Sequence, residues 1–269
     1  MSTDPTAYFP LPSGDHELQR NLDLQEDFER ERQEYFESRT LRDLDAMGVP
    51  PRLRKATFPG VPDEIFHACD SKHVNLRDFP GDNFGFVGPG GSGKSSALVW
   101  AIKSCLFKLY EKAGPATCGA PFVKKQGEME GSVMRVPVLD LEFKWIGWPA
   151  AATRMKNLAS QRKWEEPESS ILPLCKWLKA DPSRRVLIVD DIGMENIGNY
   201  TSEQLELLID TVYNHEGKFF WTSEWVTASK DENEKTLRKL YSYRLVSRLI
   251  GLAPMIQLPT DMPDLRVRP

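Results

Sequence analysis

Apolar residues in this chain come in short unbroken runs separated by longer stretches of helical spacing. Phe84-Gly85-Phe86-Val87, Val186-Leu187-Ile188-Val189 and Phe219-Phe220-Trp221 leave no polar position to face water. Runs of this length, bounded by glycine, proline or acids, predict strands buried on both faces. Strands are therefore expected over 83–87, 184–191 and 218–223, with a short one over 254–258. Residues 133–142 predict another, and Pro137 within it points to an edge or a bulge. Helical spacing predicts helices over 96–112, through 143–179, over 201–213 with Thr201 as N-cap, and over 233–252. Residues 115–132 read as a loop. Strands alternating with helices predict an α/β domain with a parallel sheet covered on both faces.

The N-terminal part breaks this pattern. Residues 1–14 carry three prolines among small polar residues and read as a disordered lead. From Asp15 to Met47 there are eleven Asp/Glu against five Lys/Arg, with no proline or glycine. Leu18, Leu22, Leu24, Phe28, Tyr35, Phe36, Leu41 and Leu44 recur there at partly helical spacing. One or two acidic amphipathic helices follow, either packed on their own domain or presented to a partner. Gly48-Val49-Pro50-Pro51 ends them, residues 48–58 form a linker, and the main domain spans 59–269.

Composition narrows the class. At 269 residues, with 40% hydrophobic and 28% charged residues, the chain has material for one large core plus an extension. It has no apolar run of the roughly 18–20 residues that a membrane span needs, and no signal-like N-terminus. A cytoplasmic location is the expectation. The net charge of −4 does not advertise nucleic-acid binding by the whole chain, so any basic surface must be local. Cys69, Cys105, Cys118 and Cys175 form no C-x-x-C pair, and the four histidines have no ligand spacing. The only metal expected is Mg²⁺ brought by a nucleotide.

One motif carries definite chemistry. Gly88-Pro89-Gly90-Gly91-Ser92-Gly93-Lys94-Ser95 matches G-x-x-x-x-G-K-[ST], the phosphate-binding loop. Its glycines let successive backbone N–H groups turn toward phosphate oxygens, Lys94 reaches the β/γ-phosphates, and the Ser95 hydroxyl ligates Mg²⁺. Ser96 continues into a helix whose N-terminal dipole faces the same phosphates. About 95 residues on, Val186-Leu187-Ile188-Val189-Asp190-Asp191 fits the second, Walker-B-type motif: four apolar residues and then acids at a strand's carboxyl end, where open α/β sheets bind ligands. There Asp190 holds Mg²⁺ through water and Asp191 orients or deprotonates the attacking water. ATP is thus the expected cofactor, with Mg²⁺.

Together these stretches resemble the DnaC/DnaI/IstB group of AAA+ ATPases, helicase loaders and the ATPase subunits of transposons. Gly48-Val49-Pro50-Pro51-Arg52-Leu53-Arg54-Lys55-Ala56-Thr57-Phe58 resembles the group's G-[IV]-P-x-R-[FYL]-R-x-A-[ST]-F segment. Val189-Asp190-Asp191-Ile192-Gly193 is similar to its I-D-D-L-G. Trp221-Thr222-Ser223-Glu224 sits where the group has T-S-N, and Tyr243-Arg244-Leu245-Val246-Ser247-Arg248-Leu249 is similar to E-R-[IL]-x-S-R-L. Asp264-Leu265-Arg266 resembles the closing D-x-R. The resemblance runs from Gly48 to Arg266, and implies an AAA+ (ASCE) core of five parallel strands with an N-terminal helical extension. It further implies that Arg248 is an arginine finger acting on a neighbouring subunit, which requires a homo-oligomer, and that Arg266 is the sensor II arginine of its own subunit. Sensor I is usually Asn; here Glu224 stands in its place. An ionised carboxylate accepts hydrogen bonds only, so Asp191 and Glu224 would crowd the γ-phosphate: either Glu224 is protonated or swung away, or turnover is slow.

Between Phe143 and Arg185 nine Lys/Arg face four Asp/Glu, and Trp145, Trp148, Trp164 and Trp177 fall in the same stretch. Basic side chains neutralise phosphate, and aromatic faces stack on unpaired bases. Lys144, Arg154, Lys156, Arg162 and Lys163, with Trp145 and Trp164 as stacking platforms, form a candidate single-stranded DNA site. Equally, the tryptophans are core and the lysines a solvated face. The resemblance implies a protein that assembles on DNA and engages a replicative helicase through residues 1–58. Alternatives are a transposon-type ATPase acting on a transposase, a nucleotide-gated adaptor with little turnover, and a small-molecule kinase. The kinase needs an arginine-rich lid that the chain lacks after its second acidic motif.

Overall fold

A computed structural model of the chain describes residues 30, 33–54, 62–113, 123–124, 133–136, 141–226, 236–262 and 264. The proposed lead 1–14, residues 15–29 of the acidic segment, Lys55–Phe58, most of the expected loop 115–132, Pro137, Cys118 and Arg266 lie outside them. The chain divides into two compact units, Met1–Thr40 and Leu41–Pro269. In the first, residues 33–40 are helical, as the acidic amphipathic pattern predicts.

The second unit is built on one sheet. Its strands are β1 (Phe84–Val87), β2 (Val123–Lys124), β3 (Val133–Val136), β4 (Leu141–Gly147), β5 (Arg185–Ile192), β6 (Lys218–Ser223) and β7 (Met255–Gln257). They lie in the order β2-β3-β4-β5-β6-β1-β7. The five from β4 to β7 are parallel, and β3 and β2 add antiparallel at the β4 edge. After a short helix at Pro51–Arg54, the helices are α1 (Asp63–Asp70), α2 (Lys94–Ala113), α3 (Trp148–Ser160), α4 (Leu172–Ala180), α5 (Asn199–His215), α6 (Leu237–Leu240) and α7 (Tyr243–Leu252). The result is a largely parallel sheet flanked by helices.

The apolar runs behave as expected. Val186 to Val189 and Phe219 to Trp221 are each fully buried, on the central strands β5 and β6. Close approach decides one residue in β1. A Cβ on Gly85 would meet the Trp221 ring at 2.0 Å, its register partner on β6. Only glycine lets that indole lie across the strand that feeds the phosphate loop. Leu187, Val189, Trp148, Trp177, Leu205, Leu208, Ile209 and Leu249 join in the core under α3, α4, α5 and α7.

Several boundaries differ from expectation, each for a local reason. The single expected strand 133–142 is two strands, and β4 continues to Gly147 where helix was expected. Phe143, Lys144, Trp145 and Ile146 are all buried, and pairing with β5 overrides their helical spacing. The expected helix through Lys179 is α3 and α4, each with proline in its first turn, where the missing N–H costs nothing. Between them Arg162 takes a left-handed backbone, φ 58°. Thr201 is not the N-cap of α5: Gly198 is, and the Thr201 hydroxyl accepts from the Gly198 N–H at 3.0 Å. The expected helix 233–252 is α6 and α7, because Ser242 caps a new start by accepting from the Leu245 N–H at 3.1 Å.

Candidate nucleotide site

β1 ends at Val87 and α2 begins at Lys94, so the glycine-rich segment is the whole turn between them. Gly88, Gly91 and Gly93 all have positive φ, which lets the backbone curl without Cβ strain. Lys94 is 4% exposed. Its ammonium donates to the Gly88 carbonyl at 2.9 Å and the Pro89 carbonyl at 2.7 Å, folding back across the loop. Pro89, Gly90 and Ser92 complete the turn, and Ser96 lies in the first turn of α2.

The carboxyl end of β5 meets this loop. The Ser95 hydroxyl donates to Asp190 Oδ1 at 2.7 Å, and the Thr222 hydroxyl on β6 donates to the same oxygen at 2.6 Å. Asp190 is 3% exposed. Burial first, and the neighbouring Asp191 second, push its carboxyl up to about 6, against the opposing pull of the Thr222 and Ser95 hydrogen bonds and the Lys94 charge. A carboxylate so raised is one whose charge a cation would relieve. Ser95 and Asp190 supply hard oxygen donors beside the phosphate loop, the donor set Mg²⁺ takes when phosphates and water complete its shell.

Asp191 has φ 62°, a left-handed conformation that costs a side-chain-bearing residue roughly 1 kcal/mol. The β5–β6 register shifts between Val189 and Ile192 at this point. Two hydroxyls of β6 fill the gap. Thr222 accepts from the Asp191 N–H at 2.9 Å, and the Ser223 hydroxyl donates to the Ile192 carbonyl at 2.7 Å. Glu224, the residue at the sensor I place, is half-buried and makes no hydrogen bond or ion pair with the described residues. Thr222 enters the sequence pattern only as part of the T-S-N match, with no role attached, although a hydroxyl after the run Phe219-Phe220-Trp221 stands at a parallel strand's carboxyl end.

The turn after Asp191 is also tied to the C-terminal helices. The Gly193 N–H donates to Glu195 Oε2 at 3.0 Å, and the Trp225 indole N–H donates to the Gly193 carbonyl at 3.0 Å. The Tyr241 hydroxyl donates to Glu195 Oε1, and burial with that carboxylate pushes the Tyr241 phenol up. Tyr241 lies two residues before α7, which carries Arg244 and Arg248. Arg248 pairs with Asp210 of α5 and lies over the Tyr213 ring at 5.5 Å. Arg244 reaches Asp210 at 2.7 Å and Glu206 at 3.6 Å. Its side chain is 62% exposed against 23% for Arg248. Asp264 touches the phosphate loop: a Cβ on Gly91 would meet its Oδ1 at 1.8 Å.

The basic stretch divides. Lys156, Arg162 and Lys163 are exposed on or just after α3, with Trp164 58% exposed and edge-on to Tyr200. Lys144 and Trp145 are 5% and 2% exposed within β4. Trp145 therefore cannot stack on a base, a correction to the expected pair of platforms, because pairing with β5 draws it into the sheet. Lys144 lines a cavity of 490 Å³ with Arg54, Arg154 and Glu168, and burial lowers its ammonium pKa. Arg154 is ion-paired with Glu168.

No family model matches the chain, and no curated protein matches it. The chain is similar to several solved structures. One is the crystal structure of the DnaC helicase loader, 18% identical with a TM-score of 0.47, covering 78% of this chain and 100% of that one. A second is a putative primosome component from Streptococcus pyogenes serotype M3, 19% identical at 0.47, covering 80% and 91%. A third is DnaI, 15% identical at 0.46, covering 78% and 94%. Among the described residues no helix is long and apolar enough to cross a membrane.

Proposed function

We propose that this protein binds ATP with Mg²⁺, hydrolyses it, and acts as an AAA+ ATPase that assembles on DNA and loads or remodels a replicative helicase. The observation that carries the reading is the Ser95–Asp190 hydrogen bond of 2.7 Å. It joins the phosphate loop to the strand-end acid, so that one cation can be held by both motifs. In this reading Lys94 and the loop N–H groups bind the phosphates, Ser95 and Asp190 hold Mg²⁺, and Asp191 orients or deprotonates the attacking water. Bound Mg²⁺ supplies charge neutralisation on the β/γ-phosphates. Asp264 against Gly91 supports a sensor II role for Arg266, two residues beyond it. Arg248 is the finger that reaches a neighbouring copy. Lys156, Arg162, Lys163 and Trp164 carry single-stranded DNA, and the acidic N-terminal helix meets the helicase.

Steady-state ATPase measurements test this directly. Lys94→Ala and Asp191→Asn should each lower turnover by about 10²-fold or more, in line with the loss of one preorganised charge-stabilising or base group. Wild-type turnover in Lys94→Ala would overturn the reading. A nucleotide-gated adaptor with little turnover is the second reading, favoured by an acid, Glu224, at the sensor I place, which bonds to none of the described residues. Faster hydrolysis by Glu224→Asn, with unchanged ATP affinity, would support it.

A further inference from the structure

Thr222 is fully buried, yet its single hydroxyl has two partners on one turn of a neighbouring strand. It donates to Asp190 Oδ1 at 2.6 Å and accepts from the Asp191 N–H at 2.9 Å. One partner is the acid that the phosphate-loop serine also bonds, and the other is the backbone of the acid that follows it. The bond to the N–H replaces a ladder bond. Because the β5–β6 register shifts between Val189 and Ile192, the Asp191 amide needs an acceptor from elsewhere. A left-handed, side-chain-bearing residue persists only where its surroundings over-determine it. Here the over-determination is a pair of hydroxyls: Thr222 on Asp191, and Ser223 on the Ile192 carbonyl at 2.7 Å. Ser223 is locked in turn, accepting from the Trp225 N–H at 3.0 Å.

We propose that Thr222 is a positioning residue of the ATPase site: its hydroxyl sets the Asp190 carboxylate for the metal and the Asp191 backbone for the water. The inference rests on the ATPase reading for its consequence, but its geometry stands apart from that reading. Glu224 has no part in it. A serine at 222 keeps the same oxygen. A valine keeps the shape and loses both hydrogen bonds.

The test compares Thr222→Val and Thr222→Ser with the full-length wild type. Amide hydrogen exchange without nucleotide should speed at Asp191 by tenfold or more in Thr222→Val, and stay near wild type in Thr222→Ser. In turnover, Thr222→Val should raise the Mg²⁺ concentration for half-maximal rate about tenfold and lower kcat 10- to 100-fold. ATP affinity in EDTA should stay within twofold, and Thr222→Ser should remain within threefold of wild type throughout. A protected Asp191 amide in Thr222→Val, or wild-type Mg²⁺ dependence in that variant, overturns the inference. So does a serine variant as impaired as the valine one, which would mean the methyl group matters rather than the hydroxyl. If the wild type shows no hydrolysis, the ATPase reading fails, and the exchange measurement alone decides whether Thr222 positions the turn.

Discussion

At the scale of single residues, Asp190 governs how the site responds to pH. Its folded-state pKa is raised from 3.8 to about 6, so the folded protein holds this proton more tightly than the unfolded chain. That preference stabilises the fold fully below about pH 4 and is lost as the pH rises through about 6. The shift corresponds to something on the order of 3 kcal/mol. Thermal unfolding in EDTA should therefore show a pH-dependent loss between 4 and 7 that Asp190→Asn lacks. At pH 7.5 the variant should melt above the wild type, and Mg²⁺ should stabilise the wild type only. A wild type and variant with parallel pH curves would remove the burial account of Asp190.

Elements set the precision of the site. β1 must lie close beside β6 for the phosphate loop to reach Asp190, and Gly85 under Trp221 is what permits this. Gly85→Ala should cost about 1–3 kcal/mol through overpacking, read by denaturant unfolding, with a changed Trp fluorescence. The α5–α7 contact is a different case. Arg248 is held by Asp210 in its own chain, so a trans-acting finger must first leave that partner. Asp210→Asn should then raise turnover a few-fold at limiting protein concentration, while Arg248→Ala should lower it about 10³-fold. A loss in Asp210→Asn as large as in Arg248→Ala would mean that the pair holds Arg248 in its working position.

For the whole molecule the question is where the proposed DNA and partners would meet the chain. Of the candidate DNA residues, Lys156, Arg162, Lys163 and Trp164 are exposed, while Lys144 and Trp145 are buried and Arg154 is exposed but ion-paired with Glu168. Replacing Arg162 and Lys163 together by alanine should weaken single-strand binding. It should also flatten the plot of log K against log salt by about 1.4, the contribution of two phosphate contacts. Fluorescence anisotropy over a salt series measures both, and an unchanged slope would take these two residues out of the DNA surface.

The sequence by itself determined what short-range chemistry can write. Buried strands appear as apolar runs because both faces of a parallel sheet are covered. The phosphate loop appears as glycines because its backbone needs positive φ, and the acids of β5 appear because the run simply stops at them. Tertiary structure decided the rest. Residues 143–147 have a helical pattern and form a strand, because pairing with β5 outweighs local preference. Trp145 and Trp164 look alike in sequence, and only packing buries one and exposes the other. The role of Thr222 depends on a register shift in a strand some thirty residues earlier. Nor could periodicity reveal that Arg248 already has a partner in Asp210. Such facts arise where elements distant in sequence are brought within hydrogen-bonding range, and no local pattern records them.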